Sequence, residues 1–167
     1  MTRAGEGIRI RTATDADWPA IHPFFAAIVA AGETYAYPSD LTSDAARELW
    51  LGQGHVVVAL DASGRVLGSA TMGANRPGRG AHIATASFMV DPVAAGRGVG
   101  RALGEHVIAW AADAGYRGIQ FNAVVETNAA AVHLWRSLGF EIIGTVPGAF
   151  DHPTHGYVGL HVMYRAL

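Results

Sequence analysis

Three glycines at alternate positions, Gly96, Gly98 and Gly100, stand between a strand-like apolar run that stops at Asp91-Pro92 and a segment that reads as a helix from Val99. A strand feeding through glycines into a helix leaves the first N–H groups of that helix without partners and concentrates positive potential there. With no Cβ atoms in the way, a phosphate can approach the main chain, and Arg97 and Arg101 add charge beside it. The spacing predicts an anion site; the competing reading is a tight turn with no ligand.

Two phosphate ligands compete for such a turn. A dinucleotide loop needs G-x-G-x-x-G in a βαβ unit with an acidic residue about 20 positions on. The best overlay here, Gly98 to Leu103, ends in leucine, and the strands before it form a meander of antiparallel type, so that overlay is poor.

The composition closes off several chemistries. The chain has 167 residues, half of them apolar, which suits one domain over 1–167 with a sizeable core. It has no cysteine, which excludes disulfides, thiolate nucleophiles and zinc-thiolate sites. It also has no lysine, all twelve basic residues being arginine, so neither Schiff-base chemistry nor a lysine-bearing NTPase loop is available. A formal charge of −2 offers no general attraction to nucleic acid or to an anionic membrane. No apolar run approaches the roughly 20 residues of a membrane span, and Met1 to Gly7 lacks the basic-then-apolar pattern of a leader, so the expectation is a soluble cytoplasmic protein. The eight histidines, His82, His152 and His155 among them, are scattered without a metal-ligand spacing, and no metal is expected.

The elements that must position the glycine junction follow from periodicity. Residues 7–13 alternate as a strand, and Thr14 or Asp15 caps a helix carrying Ile21, Phe24, Phe25, Ile28 and Val29, in which Pro23 predicts a kink or break. A turn-rich, mobile link with Tyr35 and Tyr37 leads to a short helix capped by Thr42 or Ser43. Residues 55–60, 65–72 and 81–90 form a meander. A helix with Val99, Leu103, Val107 and Trp110 on one stripe is followed by a strand over 118–125. Next comes a helix capped by Asn128, with Ala131, Leu134, Trp135 and Leu138 inward and Gly139 as its stop. Strands over 141–147 and 157–167 close the chain. The order β-α-α-β-β-β-α-β-α-β-β is that of a mixed α/β domain.

Ala95-Gly96-Arg97-Gly98-Val99-Gly100 resembles the pyrophosphate loop Q/R-x-x-G-x-G/A of the GNAT (Gcn5-related) N-acetyltransferases, and Asn128 to Phe140 resembles their second signature, N-x-x-A-x-x-L-Y-x-x-L-G-F. The segments "ETYAYP", "FNAVVETNAAAVHLW" and "GTVPGAF" look closest to the branch of phosphinothricin and azetidine-2-carboxylate acetyltransferases. The resemblance implies an α/β fold with a central, mostly antiparallel sheet splayed between its fourth and fifth strands and flanked by helices. It implies acetyl-CoA as donor and direct attack by a primary or secondary amine of a small molecule, an amino acid or a toxic analogue of one. A weakly catalytic acyl-CoA sensor is the alternative, with a protein acetyltransferase behind it. On the same resemblance, Ala95 to Arg101 hold the diphosphate, Met89 and Val90 offer main-chain contacts to the pantetheine, and Asn128 and Trp135 line the cofactor. Glu33, Tyr35 and Tyr37 border the acceptor. Separately from the resemblance, the exposed closing strands lead to the expectation of a homodimer.

Three positions depart from the family pattern. Ala95 replaces a glutamine or arginine, Thr85 stands where phosphinothricin enzymes carry a carboxylate, and Trp135 stands where a tyrosine often protonates the leaving thiolate. Asn122 and Asn128 keep the six-residue spacing seen in the azetidine-2-carboxylate enzyme, and that resemblance implies that Asn122 orients the amine or a water. Thr85 and Ser87, on one strand face, can hold a water chain. Glu126 reads as a surface charge beside a helix N-terminus.

Overall fold

The computed structural model describes residues 7–52 and 54–167; the first six residues, read above for a leader, lie outside the described part. Strand β1 (Arg9–Thr12) leads through a single 3-10 turn (Asp15–Asp17) into helix α1 (Trp18–Ala31). The Asp17 carboxylate accepts the Thr14 N–H at 2.8 Å and takes both arms of the Arg11 guanidinium at 2.7 and 2.8 Å, which pins this entry to β1. Pro23 does not break the helix. Its side chain is on the exposed face while Ile21, Phe24 and Phe25 on either side are buried, so the ring meets solvent and α1 continues to Gly32, which ends it with φ 66°.

Helix α2 (Ser43–Leu51) starts at Thr42, whose hydroxyl accepts the Ala45 N–H. Strands β2 (His55–Leu60), β3 (Val66–Ala74) and β4 (Ile83–Val90) form the meander, followed by α3 (Val99–Asp113), β5 (Gly118–Val125), α4 (Ala129–Ser137), β6 (Glu141–His152) and β7 (Gly156–Ala166). Strand β6 runs five residues past the expected end at Pro147 because Phe150, Asp151 and His152 pair with Val158, Tyr157 and Gly156 of β7.

All seven strands lie in one sheet, ordered β1-β2-β3-β4-β5-β7-β6. Every neighbouring pair is antiparallel except β4 and β5. Side-chain alternation divides the core in two. Trp18, Ile21, Phe25, Trp50, Val56, Val58 and Met89 pack on the face covered by α1 and α2. Val57, Ala59, Leu67, Leu103, Val107, Ile119, Phe121 and Trp135 pack on the face covered by α3 and α4. The shared geometry of α3 depends on missing side chains: a Cβ on Gly68 would lie 3.0 Å from Val99, and one on Gly104 would lie 2.7 Å from Leu138 and 2.9 Å from the six-membered ring of Trp135. Small residues there let α3 settle onto both the sheet and α4.

Candidate active site between the diverging strands

Parallel strands β4 and β5 pair only where they begin, Ile83 with Gly118 and Ala84 with Ile119; beyond these two pairs of their eight residues they separate. On its other side β5 carries one extra residue between Phe121, opposite Met163, and Val124, opposite His161. That bulge lies at Asn122-Ala123 and bends β5 away from β4 where the sheet opens. A cavity of about 540 Å3 fills the opening.

The register determines which main-chain groups face it. The carbonyl of His82 accepts from Arg117 at the foot of β5, and that of Ile83 accepts from Asn75 at the end of β3. Alternation then turns the N–H and C=O of Ala84, Ala86, Phe88 and Val90 toward β5, and those of Thr85, Ser87 and Met89 toward β3. Val90 therefore turns its main chain toward the opening. Met89 does not: its backbone faces Ser69 on β3 and its side chain is buried under α1 and α2, so Phe88 stands in the position expected of it.

The Phe88 main chain already has a partner. The Tyr35 hydroxyl accepts the Phe88 N–H at 2.9 Å and donates to the Phe88 carbonyl at 2.6 Å. Tyr35 stacks on Tyr37 with ring centroids 5.2 Å apart, and Tyr37 stacks on Phe25 at 5.9 Å. The link expected to be mobile is thus anchored at both tyrosines. Burial pushes both phenols above their ordinary range, Tyr35 the further and with the Tyr37 hydroxyl adding to it, so both are neutral donors.

On the face of α1 and α2 the cavity is lined by Tyr35, Tyr37, Thr85, Ser87 and Asn122. The Asn122 amide is held at both ends, its Oδ1 accepting from Gln120 at 2.8 Å and its Nδ2 donating to Asn75 Oδ1 at 2.7 Å. Glu33 is exposed and is not among the lining residues. Sequence reading missed Asn75, and no spacing could have found it: it lies 47 positions from Asn122 and meets it only because β3 and β5 flank β4.

On the opposite face Phe88, Phe121 and Trp135 form one aromatic wall, with Trp135 4.6 Å from Phe88 and 4.8 Å from Phe121 between ring centroids. The Trp135 indole N–H has no hydrogen-bond partner among the described residues, and no buried side-chain polar atom lacks one, so this N–H touches solvent. Asn128 caps α4 through Oδ1, which accepts the Ala131 N–H at 3.2 Å, and lines the cavity beside it.

The glycine loop lies at the start of α3. Gly96 and Gly98 have φ of 77° and 82°, the left-handed region that glycine alone adopts cheaply. The first helical N–H with a partner is that of Ala102, which bonds Gly98 O at 3.0 Å, leaving the N–H groups of Gly98, Val99, Gly100 and Arg101 unpaired by the main chain. Gly100 has a different cause: a Cβ there would come within 3.3 Å of Leu134, so it is small for the sake of α4. The exposed Arg97 guanidinium makes no side-chain hydrogen bond or ion pair among the described residues, its charge being felt by Asp61, whereas Arg101 is committed to Ser137 at 2.6 Å and Glu105 at 3.5 Å. Ala95 is exposed and offers only its main chain. Unpaired amides at a helix start, an open strand edge at Val90 and an aromatic wall between them fit a diphosphate joined to an amide-bearing arm.

Glu126 has a specific partner. Its carboxylate accepts the Gly159 N–H, and its own N–H bonds the Gly159 carbonyl, tying the end of β5 to β7.

Known proteins resemble the chain in sequence and in overall fold. The acetyltransferase (GNAT) family model matches residues 21–140. The chain is 36% identical over 145 residues to an L-methionine sulfoximine/L-methionine sulfone acetyltransferase of Pseudomonas aeruginosa, 83% of each chain. It is 31% identical over 105 residues to N-acetyltransferase aca1 of Schizosaccharomyces pombe, 62% of this chain and only half the length of that one. A GCN5-related N-acetyltransferase structure from Kribbella flavida superposes with TM-score 0.94 at 63% identity, over 97% of this chain and 99% of that one. A phosphinothricin acetyltransferase from Sinorhizobium meliloti, solved in complex with AcCoA, superposes with TM-score 0.84 at 26% identity, over 96% and 89%. With the family model matched over most of the chain and a relative 36% identical over 83% of each chain, the chain belongs to the GNAT acetyltransferase family.

Proposed function

We propose that the protein transfers the acetyl group of acetyl-CoA to the amine of a small molecule by direct attack. The observation that carries this reading is the opening between β4 and β5, which joins the two faces of the sheet: the glycine loop and Trp135 lie on one side, Tyr35, Tyr37 and Asn122 on the other. Acetyl-CoA supplies the activated thioester. The N–H groups of Gly98 to Arg101 receive its diphosphate, Arg97 adds charge, and the free edge at Val90 pairs with the pantetheine amides.

An N–H in the opening stabilises negative charge developing on the acetyl oxygen, and Phe88 supplies it once Tyr35 yields. Asn122 orients the amine without accepting its proton. Thr85 and Ser87 hold water that carries the proton outward. The C–N bond forms as the C–S bond breaks, and the proton lost by nitrogen ends on the thiolate or in water. Trp135 cannot give up a proton at neutral pH, but its solvent-facing N–H can donate a hydrogen bond to the leaving sulfur. The relative named for methionine sulfoximine supports amino-acid analogues as acceptors.

The test is acetyl-CoA consumption against a panel of small amines. Turnover with any of them supports the reading. Tight acetyl-CoA binding without turnover on the whole panel would make the chain an acyl-CoA sensor instead.

A further inference from the structure

The phenol of Tyr35 holds both main-chain groups of Phe88, accepting its N–H at 2.9 Å and donating to its carbonyl at 2.6 Å. The Ser87 side chain acts on the same hydroxyl. An N–H has room for one well-aligned acceptor at about 3 Å. A thioester oxygen that takes the Phe88 N–H must therefore lie where the Tyr35 oxygen lies in the free protein.

The ring behind that hydroxyl is clamped. It stacks on Tyr37 with centroids 5.2 Å apart and planes 18° apart, Tyr37 stacks on Phe25 at 5.9 Å, and Trp50 stands at 78° to the Tyr35 ring at 6.5 Å. Trp50 is fixed in turn, its indole N–H donating to Ser69 Oγ at 3.0 Å while that hydroxyl donates to the Val57 carbonyl at 2.8 Å. A displaced Tyr35 hydroxyl thus pivots but stays in the opening, beside the oxygen that displaced it. Once a ligand takes the Phe88 carbonyl as well, the phenol proton needs a new acceptor, because a hydroxyl left unpaired away from water is costly.

We infer that Tyr35 is a second catalytic donor: with acetyl-CoA bound, its O–H and the Phe88 N–H converge on the thioester oxygen. The inference rests on the acetyltransferase reading above and adds a residue to it. As the amine lone pair forms the C–N bond, the carbonyl π pair moves onto that oxygen. The pair returns as the C–S bond breaks and sulfur leaves with the electrons of that bond. Both donors keep their protons throughout. Burial pushes the phenol above its ordinary range, further still from a thiol at about 8.5, so Tyr35 stabilises charge on oxygen and does not protonate the sulfur. In the free protein the same two groups satisfy each other, which spares the open edge an unpaired N–H.

Tyr35→Phe keeps the ring stack and deletes the O–H. The test is single turnover with acetyl-CoA and the fastest amine among L-methionine sulfone, L-phenylalanine and phenethylamine. The transfer rate is expected to fall by about 100-fold or more, the size of one lost oxyanion donor. The acetyl-CoA dissociation constant should not rise, because the phenol no longer competes for Phe88. With a 13C-labelled acetyl carbonyl, the infrared C=O stretch of the complex should lie at higher frequency in Tyr35→Phe than in the unaltered chain. An unchanged rate and frequency would show that Tyr35 only plugs the edge, and a rise confined to the KM of the amine would show that it only borders the acceptor; either result overturns the inference. Should Tyr35→Phe fail to fold, a crystal structure of the unaltered chain with acetyl-CoA decides. A Tyr35 oxygen within about 3.2 Å of the thioester oxygen supports the inference, and one still bonded to Phe88 overturns it. A rate unaffected by Tyr35→Phe removes this inference alone, whereas no turnover with any of the three amines removes the acetyltransferase reading and this one with it.

Discussion

The hydroxyl of Tyr35 occupies both hydrogen-bonding groups of Phe88, accepting at 2.9 Å and donating at 2.6 Å across 53 residues of sequence. One oxygen thus does for the open edge of β4 what a neighbouring strand does elsewhere in the sheet. Any ligand that pairs with Phe88 must displace it.

Replacing Tyr35 with Phe removes both bonds and leaves the Phe88 pair to water. The ligand-free protein should lose about 1–2 kcal/mol, seen as a lower melting temperature. With saturating acetyl-CoA the loss should be smaller, because the ligand takes over the pair. Thermal melts with and without acetyl-CoA check this; equal losses in both would show that Tyr35 and the ligand use different groups.

Two glycines on α3 should fail in different ways. Gly98→Ala forces a side chain into the left-handed region at φ 82°, at a cost of about 1–2 kcal/mol, and disturbs the unpaired amides. Its main effect should be a rise of about tenfold or more in the acetyl-CoA dissociation constant, measured by calorimetry. Gly104→Ala overpacks the contact with Leu138 and Trp135 and should cost about 1–3 kcal/mol of stability, read from urea unfolding. A stability loss at Gly98 with unchanged acetyl-CoA binding would contradict the loop assignment.

Asn122→Ala and Asn75→Ala should act alike, because Asn75 holds the Asn122 amide in place at 2.7 Å. Both should lower kcat by about 10-fold or more, within the range of a lost positioning contact, with little change in acetyl-CoA affinity. Steady-state kinetics beside calorimetry separates the two quantities. Equal losses in turnover and affinity would place Asn122 on the cofactor side.

Asp17 gives a pH signature unrelated to catalysis. The Arg11 guanidinium, helped by the Thr14 N–H and hydroxyl and opposed by burial, holds its carboxyl at about 2. The folded value is below the unfolded one near 3.9, so the stabilisation is present above about pH 4 and is lost as pH falls toward 2. Arg11 remains 42% exposed, which weakens the pair, so Asp17→Asn should cost about 1 kcal/mol at pH 7. At pH 2.5 the two proteins should differ far less. Urea titrations at both values check this, and an equal cost at each would remove Arg11 as the cause.

The sequence by itself determined the element order, because strand and helix periods are local. It also determined the cap at Asn128 and the stop at Gly139, and narrowed the α2 cap to Thr42 or Ser43, since each depends on a residue's own backbone freedom or short-range bond. It left open a break at Pro23, which the continuous α1 excludes, and it read as mobile the link at Tyr35, whose anchor is on a distant strand. Only the tertiary structure decided that Phe88 rather than Met89 faces the opening, that Gly100 is small for Leu134, that Asn75 holds Asn122, and that the cavity wall carries no formal charge. Each of these is a meeting between residues far apart in the chain, fixed by strand register and by how closely α3 and α4 approach, and neither quantity is written in the spacing of any one segment.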